Sequence, residues 1–283
     1  MKAAAFDYVR ATSVAHALSV LADNGDAVRL LAGGQSLLPA LNLRLSAPGL
    51  LLDIGGIDEL RGISFDDGVL RLGALVRHAE LERAPLIARH APLLVRAAAH
   101  IAHAAIRNRG TLGGSLANAD PAAELPACML ALDARIVVAR QGGATRRIAA
   151  AEFFQGVYST ALRPDEILTA VEIDAGEDRR CAFGEFVRRR GDYALVGLAL
   201  QSGLENGVLR DPRLAWFGVG DRPVLSPATA AALAGQRPDA TVLAIAQERL
   251  SAELAPRGDI HAGAGTRMQL ARVLLARALE TLH

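Results

Sequence analysis

The chain has 283 residues, 51% of them hydrophobic and 22% charged, enough to bury the core of two domains or one large one. Its 31 basic and 30 acidic residues nearly cancel and aromatic residues make up only 4%, which argues against a surface that stacks bases or tracks a phosphate backbone. Two cysteines, Cys128 and Cys181, are too few for a disulfide framework, a four-thiolate zinc site or an iron–sulfur cluster, and read as small buried residues of a reducing compartment.

At the N-terminus Asp7 and Arg10 interrupt any apolar leader, and no apolar run approaches membrane-spanning length. The expectation is a cytoplasmic chain without membrane insertion. Residues 13–24 carry Val14, Ala17, Leu18 and Leu21 at helical spacing behind Ser13, and Asn24-Gly25 ends the pattern. Arg29-Leu30-Leu31-Ala32 reads as a buried strand running into Gly33-Gly34-Gln35-Ser36, and Leu50-Leu51-Leu52-Asp53 as a second strand. Residues 63–72 alternate around the hairpin signal Asp67-Gly68. A helical stretch is predicted over 76–105, and Asp120-Pro121 suggests an N-cap with proline at the first position of a helix running to about 132.

Strands are predicted at 135–140 and 145–149 around Gln141-Gly142-Gly143, and at 167–173. The polar stretch 174–180 reads as a domain boundary. Beyond it, 182–190, 194–203, 207–210 and 213–219 suggest an antiparallel meander, followed by helices over about 227–254, in pieces, and 266–282. The fold class is α+β.

The segments Ala32-Gly33-Gly34-Gln35-Ser36 and Thr111-Leu112-Gly113-Gly114-Ser115 each join paired glycines to hydroxyl residues. Glycine permits positive φ and close approach to the main chain, so successive N–H groups can converge on an anion, with Ser36, Thr111 and Ser115 adding hydroxyl donors. Neither segment has the spacing of a Rossmann fingerprint or a Walker loop, and the latter also needs a lysine. Either segment alone reads most simply as a tight connection. The pair suits the two halves of a pyrophosphate.

Other candidates have plainer readings. His100 and His103 lack a third ligand at a supporting spacing for a metal and suit packing. Glu124 is open to three roles: a catalytic carboxylate, a group stabilised by a helix N-terminus, or a ligand contact. Arg188, Arg189 and Arg190 fit a solvated strand end or an ion-pairing docking patch. Tyr193, unaided, is a core or edge-strand tyrosine.

The segments 31–39 and 106–126, including Ile106-Arg107-Asn108-Arg109-Gly110-Thr111-Leu112-Gly113-Gly114-Ser115 and Asn118-Ala119-Asp120-Pro121-Ala122-Ala123-Glu124, resemble the signatures of the FAD-binding medium subunits of molybdenum hydroxylases. The likeness continues through Asp165-Glu166-Ile167-Leu168 and Gly191-Asp192-Tyr193 to the last helix. It implies a FAD-binding domain of the vanillyl-alcohol-oxidase type over 1–177, in lobes of about 1–57 and 58–177. A smaller α+β domain over 178–283, with a three-stranded antiparallel sheet and helices, would follow. It further implies that Leu31, Ala32, Gly33, Gly34, Gln35, Ser36 and Leu37, with Thr111, Leu112, Gly113, Gly114 and Ser115, hold the FAD pyrophosphate without a covalent bond. Arg29, Ile101, Ala117, Asp120, Glu124 and Leu168 would contact the cofactor, and Tyr193 would lie near the flavin ring.

No side chain is assigned a catalytic role, and no metal site is expected in this chain. The [2Fe-2S] clusters would sit on a small partner subunit and molybdopterin on a large one, in a duplicated heterotrimer that passes electrons through FAD to an external acceptor. Three positions depart from relatives: Asn118 where many have histidine, Thr266 where a tyrosine often opens the last helix, and Val187 where the xanthine enzymes carry a lysine. The last makes NAD a less secure acceptor. Two rival readings are a self-sufficient flavin reductase akin to the UDP-sugar reductases, and a nucleotide-binding assembly module without catalysis.

Overall fold

A computed structural model describes residues 2–176 and 179–282. The chain opens with strand β1 (Asp7–Arg10), helix α1 (Val14–Asn24), β2 (Val28–Leu31), α2 (Leu37–Asn42) and β3 (Leu50–Asp53). The Ser13 hydroxyl caps α1 by accepting from the His16 N–H at 3.0 Å, as its hydroxyl and position lead one to expect. The three strands form a parallel sheet in the order β1-β3-β2. The central strand has Leu50, Leu51 and Leu52 buried on both faces, the pattern of a strand covered from each side.

The hairpin β4 (Ile63–Asp66) and β5 (Val69–Gly73) follows. Its turn places Asp67 and Gly68 both at positive φ, 46° and 77°, as a two-residue hairpin turn requires. The helical stretch expected over 76–105 is four short helices: α3 (His78–Leu81), α4 (Pro85–His90), α5 (Pro92–Ala98) and α6 (Ala104–Arg107). Pro85 and Pro92 each occupy the first turn of a new helix, because a proline ring cannot accept the carbonyl of the preceding turn. Apolar spacing was preserved across these breaks and concealed them.

Helix α7 (Leu112–Asn118) ends in Ala119 at φ 48°, and α8 (Glu124–Ala131) begins three residues later than expected. Asp120 is not its cap. Its Oδ1 accepts from the Ala122 N–H at 2.9 Å, and this local turn competes with helix initiation at Pro121. Every residue of α8 from Leu125 to Ala131 is buried, which marks a helix enclosed on all sides.

Strands β6 (Arg135–Arg140) and β7 (Thr145–Ala149) come next, then α9 (Ala150–Phe153), the small hairpin β8 (Phe154–Gly156) and β9 (Ser159–Thr160), and β10 (Glu166–Asp174). The second sheet is antiparallel in the order β4-β5-β10-β6-β7. Two buried carboxylates hold its cross-strand charges: Glu166 meets Arg146 at 2.7 Å, and Glu172 meets Arg147 at 2.7 Å and Arg71 at 2.6 Å. The boundary expected near 177 lies outside the described residues.

The third sheet is antiparallel: β11 (Arg179–Phe186), β12 (Val196–Glu205), β13 (Val208–Phe217) and the two-residue β14 (Val224–Leu225). Its three long strands are those expected of the second domain, with β14 as a short edge. The segments 207–210 and 213–219 join into the single strand β13, because Asp211 and Pro212 form a bulge against β12. One face, with Val196, Leu198, Leu200, Leu214 and Trp216, packs under α10 (Pro227–Leu233), α11 (Ala240–Glu253) and α12 (Ala264–Glu280). The other, with Ala199, Ala215 and Phe217, joins the core around α5 and α8. Helix α8 is therefore sealed between α5 and the third sheet.

Candidate functional site

Strand β2 ends at Leu31, and the chain turns through residues 32–36 before α2 begins at Leu37. Gly34 has φ 74°, a left-handed conformation that glycine adopts without a Cβ penalty. Gly33 is needed for a different reason. A Cβ there would lie 2.2 Å from the Arg109 carbonyl oxygen and 2.9 Å from Gly110 Cα, so the first glycine segment rests main chain to main chain against the second. Gly114 faces Ala32 across the same contact. The two segments, more than seventy residues apart in sequence, form the two walls of one notch.

The walls differ in what they offer. Among the described residues no acceptor takes the N–H of Gly33, Gly34, Gln35 or Ser36. In the second segment the Leu112 and Gly113 amides donate to Val76 and Ala74, Gly114 donates to the Thr111 hydroxyl at 3.2 Å, and Ser115 donates to the Thr111 carbonyl. Gly113 and Gly114 are thus not a turn but the first turn of α7, capped by Thr111. The expectation of two converging amide nests is corrected to one. Segment 33–36 supplies main-chain donors, and segment 111–115 supplies a close-fitting wall with the Thr111 and Ser115 hydroxyls.

His78 holds that wall from behind. Its buried ring contacts the position where a Gly110 Cβ would lie, and its Nε2 stands 3.0 Å from the Thr111 carbonyl oxygen. Burial holds its pKa down to about 4, so the ring is neutral and donates from Nε2 to that carbonyl. Sequence reading passed over His78. Its only signal is its distance of 33 residues from Thr111, which carries no local pattern.

The other expected contacts fall into separate groups. Arg29 directs its guanidinium to the carbonyls of Asp26 and Val28, away from the glycine end of β2. Ile101 and Leu168 are buried in one core cluster, while Ala117 is exposed on α7. Asp120 and Tyr193 line a crevice of about 730 Å³ with Gly218, Val219, Arg188, His261 and Arg267. Tyr193 is 70% exposed there. Arg267 was noticed in the sequence only for the residue before it, yet it is buried and organises this wall. It donates to the carbonyls of Leu195 and Gly218 and pairs with Asp259 at 2.6 Å.

Glu124 is the first residue of α8. It is half-buried by surface, yet loss of solvent around its carboxyl pushes its pKa up to about 7, with Glu185 and Asp120 adding repulsion. The stability consequence has a definite sign. The acid is neutral in both states below its ordinary value of 4.5, and the folded chain loses stability as pH rises from there through about 7. Glu124→Gln is therefore expected to melt with wild type in acid and above it in alkali, by on the order of 2 kcal/mol. Melting curves of the FAD-free chain across pH check this.

Among the described residues no group of three or more His, Cys, Asp or Glu side chains is placed to hold a metal ion, and His100 instead stands 3.3 Å from Glu185. Cys128 and Cys181 are buried and unpaired. Arg188 lies at the crevice, 3.0 Å from His261. Among the described residues no helix is long and apolar enough to cross a membrane.

Among the described residues, four amides without an acceptor beside the Ser115 hydroxyl and the Thr111 hydroxyl that caps Gly114, with no lysine or arginine in segment 31–38, suit a diphosphate bound by main chain. Residues 4–174 match the family model described as FAD binding domain in molybdopterin dehydrogenase, and residues 181–282 match that of the CO dehydrogenase flavoprotein C-terminal domain. The alpha subunit of the 6-hydroxypseudooxynicotine dehydrogenase complex of Paenarthrobacter nicotinovorans is 40% identical, over 100% of this chain and 96% of its own. The carbon monoxide dehydrogenase medium chain of Afipia carboxidovorans is 33% identical over 97% and 96%. Among solved structures, a chain of quinoline 2-oxidoreductase from Pseudomonas putida 86 superposes with a TM-score of 0.94 at 38% identity, covering 100% of this chain and 98% of that one. The chain belongs to the FAD-binding medium subunits of the molybdenum hydroxylases.

Proposed function

We propose that this chain carries electrons from the [2Fe-2S] clusters of a small partner subunit, through non-covalently bound FAD, to an external acceptor such as a quinone or NAD. The observation that carries the reading is the notch in which the free amides of Gly33, Gly34, Gln35 and Ser36 face the wall built by Thr111–Ser115. Residues 33–36 bind the pyrophosphate, and Thr111 and Ser115 add hydroxyl contacts. Asp120, Glu124 and Tyr193 border the path toward the crevice between lobe and third sheet. Bound FAD supplies chemistry that the chain lacks, since a flavin exchanges electrons singly or in pairs and so joins one-electron clusters to a two-electron acceptor. The protein's share is binding, orientation and the exclusion of water.

Partners follow from the shortage of ligands. Two buried cysteines cannot hold two [2Fe-2S] clusters, so the clusters belong to a small subunit and molybdopterin to a large one. The assembly we infer is a duplicated heterotrimer in the cytoplasm. Within the chain, the flavin-binding unit ends near 177 and the third sheet with its helices forms the second unit. Substrate oxidation occurs on the large subunit, and no residue here serves as nucleophile or general base toward it.

The test is the visible absorption of the purified chain titrated with FAD. A two-banded flavin spectrum at one FAD per chain is expected, with co-purification of both partners on co-expression. A well-folded chain that stays colourless both alone and with its partners would remove the reading.

A further inference from the structure

A cavity of about 500 Å³ opens beside β4 and α3, and the relay does not use it. Arg61, Arg77 and Arg83 line it together with Asn108. Among its described lining residues the one carboxylate is Glu80, and Glu80 Oε2 is taken by the Arg77 N–H at 2.8 Å. The neighbouring acids are committed elsewhere or stand in water. Glu82 pairs with Arg107 at 3.3 Å, and Asp58, 3.7 Å from Arg61, is 98% exposed. Among the described residues neither the Arg83 guanidinium nor the Asn108 side-chain amide has a hydrogen-bond or ion-pair partner. The cavity thus presents a surplus of positive charge and of N–H donors, which attracts a ligand made of acceptors. Guanidinium forks match the oxygens of a phosphate group. The volume falls within the range of small-molecule sites, about 300–1,000 Å³, which leaves room for more than one phosphate group beside Ile63 and Ala84.

The same arginines hold the supports of the notch. Arg61 donates to the Gly55 carbonyl, and a Cβ on Gly55 would lie 3.5 Å from the Ala32 carbonyl oxygen, so that turn backs the first glycine segment. Arg77 donates to the Asn108 carbonyl at 3.0 Å and pairs through its main chain with Thr111. Asn108 directly precedes Arg109, whose carbonyl meets Gly33. An anion gripped by Arg61 and Arg77 at once therefore joins the support of one wall to the support of the other. We propose that this cavity binds a small phosphate-bearing anion, and that its occupancy steadies both walls and tightens FAD binding. The anion site stands on its own residues, and only the coupling rests on the FAD reading above. Coupling of this kind is reciprocal: FAD must tighten the anion by the same factor.

Calorimetry of the full chain with inorganic phosphate, against chloride at equal ionic strength, tests the site. Saturable binding is expected, weakened at least about tenfold in Arg83→Gln by loss of one charge-assisted contact. Arg83 is exposed and unpartnered among the described residues, so that variant is expected to melt with wild type. Ribose 5-phosphate is expected to bind more tightly than the free ion, and the reverse order would make inorganic phosphate the ligand of the same site. In the FAD-loaded chain phosphate affinity is expected to rise about fivefold, the lower end of coupling between sites, and the rise is expected to vanish in Arg83→Gln. No saturable binding, or binding unchanged in Arg83→Gln, overturns the site. Phosphate displaced by FAD would place the anion in the notch itself and overturns it equally. Phosphate held through Arg83 with no change on FAD loading overturns the coupling. FAD uptake is scored separately by absorbance: a chain that holds phosphate through Arg83 but takes up no FAD, alone or with its partners, removes the cofactor reading and the coupling while the anion site stands.

Discussion

Gly33→Leu is expected to abolish FAD uptake while leaving most of the chain folded. The contact that it destroys is between two main chains, with the new Cβ 2.2 Å from the Arg109 carbonyl oxygen, and backbone cannot swing aside as a flexible side chain can. The first segment must move away from the second, which opens the notch and misaims the amides of residues 33–36. Charge-assisted hydrogen bonds contribute about 1.5–3 kcal/mol each. Loss of two would weaken binding by about 3–6 kcal/mol, at least a hundredfold in Kd. The remaining structure is buffered, because residues 33–36 are half-buried or exposed and contribute no member to the apolar clusters. Gly34→Ala makes the informative comparison. It faces no main-chain collision, only the left-handed φ of 74° and the side chains of Leu31 and Leu38, so its cost is about 1–2 kcal/mol. Flavin absorbance with circular dichroism melts on both variants distinguishes lost geometry from lost folding. Equal FAD affinity in wild type and Gly33→Leu would mean that the cofactor does not use this notch.

Arg267→Met is expected to have the largest effect on stability in the C-terminal half. The Arg267 side chain is only 7% exposed. It ties α12 to the carbonyl groups of Leu195 and Gly218 and to Asp259, and so joins three loops around the crevice. Methionine fills similar volume but leaves those carbonyls without donors and Asp259 without its cation. Removing one member of such a buried charged network costs about 3–5 kcal/mol. Urea unfolding would show this as a lower midpoint at unchanged slope. Asp259 itself should matter less than Arg267. The amides of Ala262 and His261 are the first causes that hold its pKa down to about 2, ahead of Arg267. The sign follows from that depression: its contribution is present above the ordinary carboxylate value of 3.8 and is lost as pH falls through about 2. An Arg267→Met chain as stable as wild type would show that the carbonyls find other donors.

Much of the architecture was legible because it is written locally. Ser13 before an apolar 3.6-residue pattern gave α1 to the residue, and Asp67-Gly68 gave the hairpin. The three leucines of β3 announced a strand, and the structure buries it on both faces. Local signals failed where two of them competed. Apolar spacing ran through Pro85 and Pro92 and suggested one helix where there are four. Asp120-Pro121 carried the letters of a helix start, but the Asp120 carboxylate was taken by a turn to Ala122.

The sequence by itself determined that two glycine segments exist, that each could lie close to a ligand, and that this chain lacks the thiolates for its own clusters. Their likeness to one family's signatures identified the cofactor. Only the tertiary structure decided that the segments meet, since the absence of a side chain at Gly33 is visible in sequence but the Arg109 carbonyl it accommodates is not. It also decided that their roles differ: Leu112, Gly113, Gly114 and Ser115 give their amides to Val76, Ala74 and Thr111, and leave the first segment as the donor. The same holds for His78 behind Thr111 and for Glu185 beside His100. Desolvation and hydrogen bonding depend on neighbours brought from distant parts of the chain, and no spacing in a sequence records which neighbours those will be.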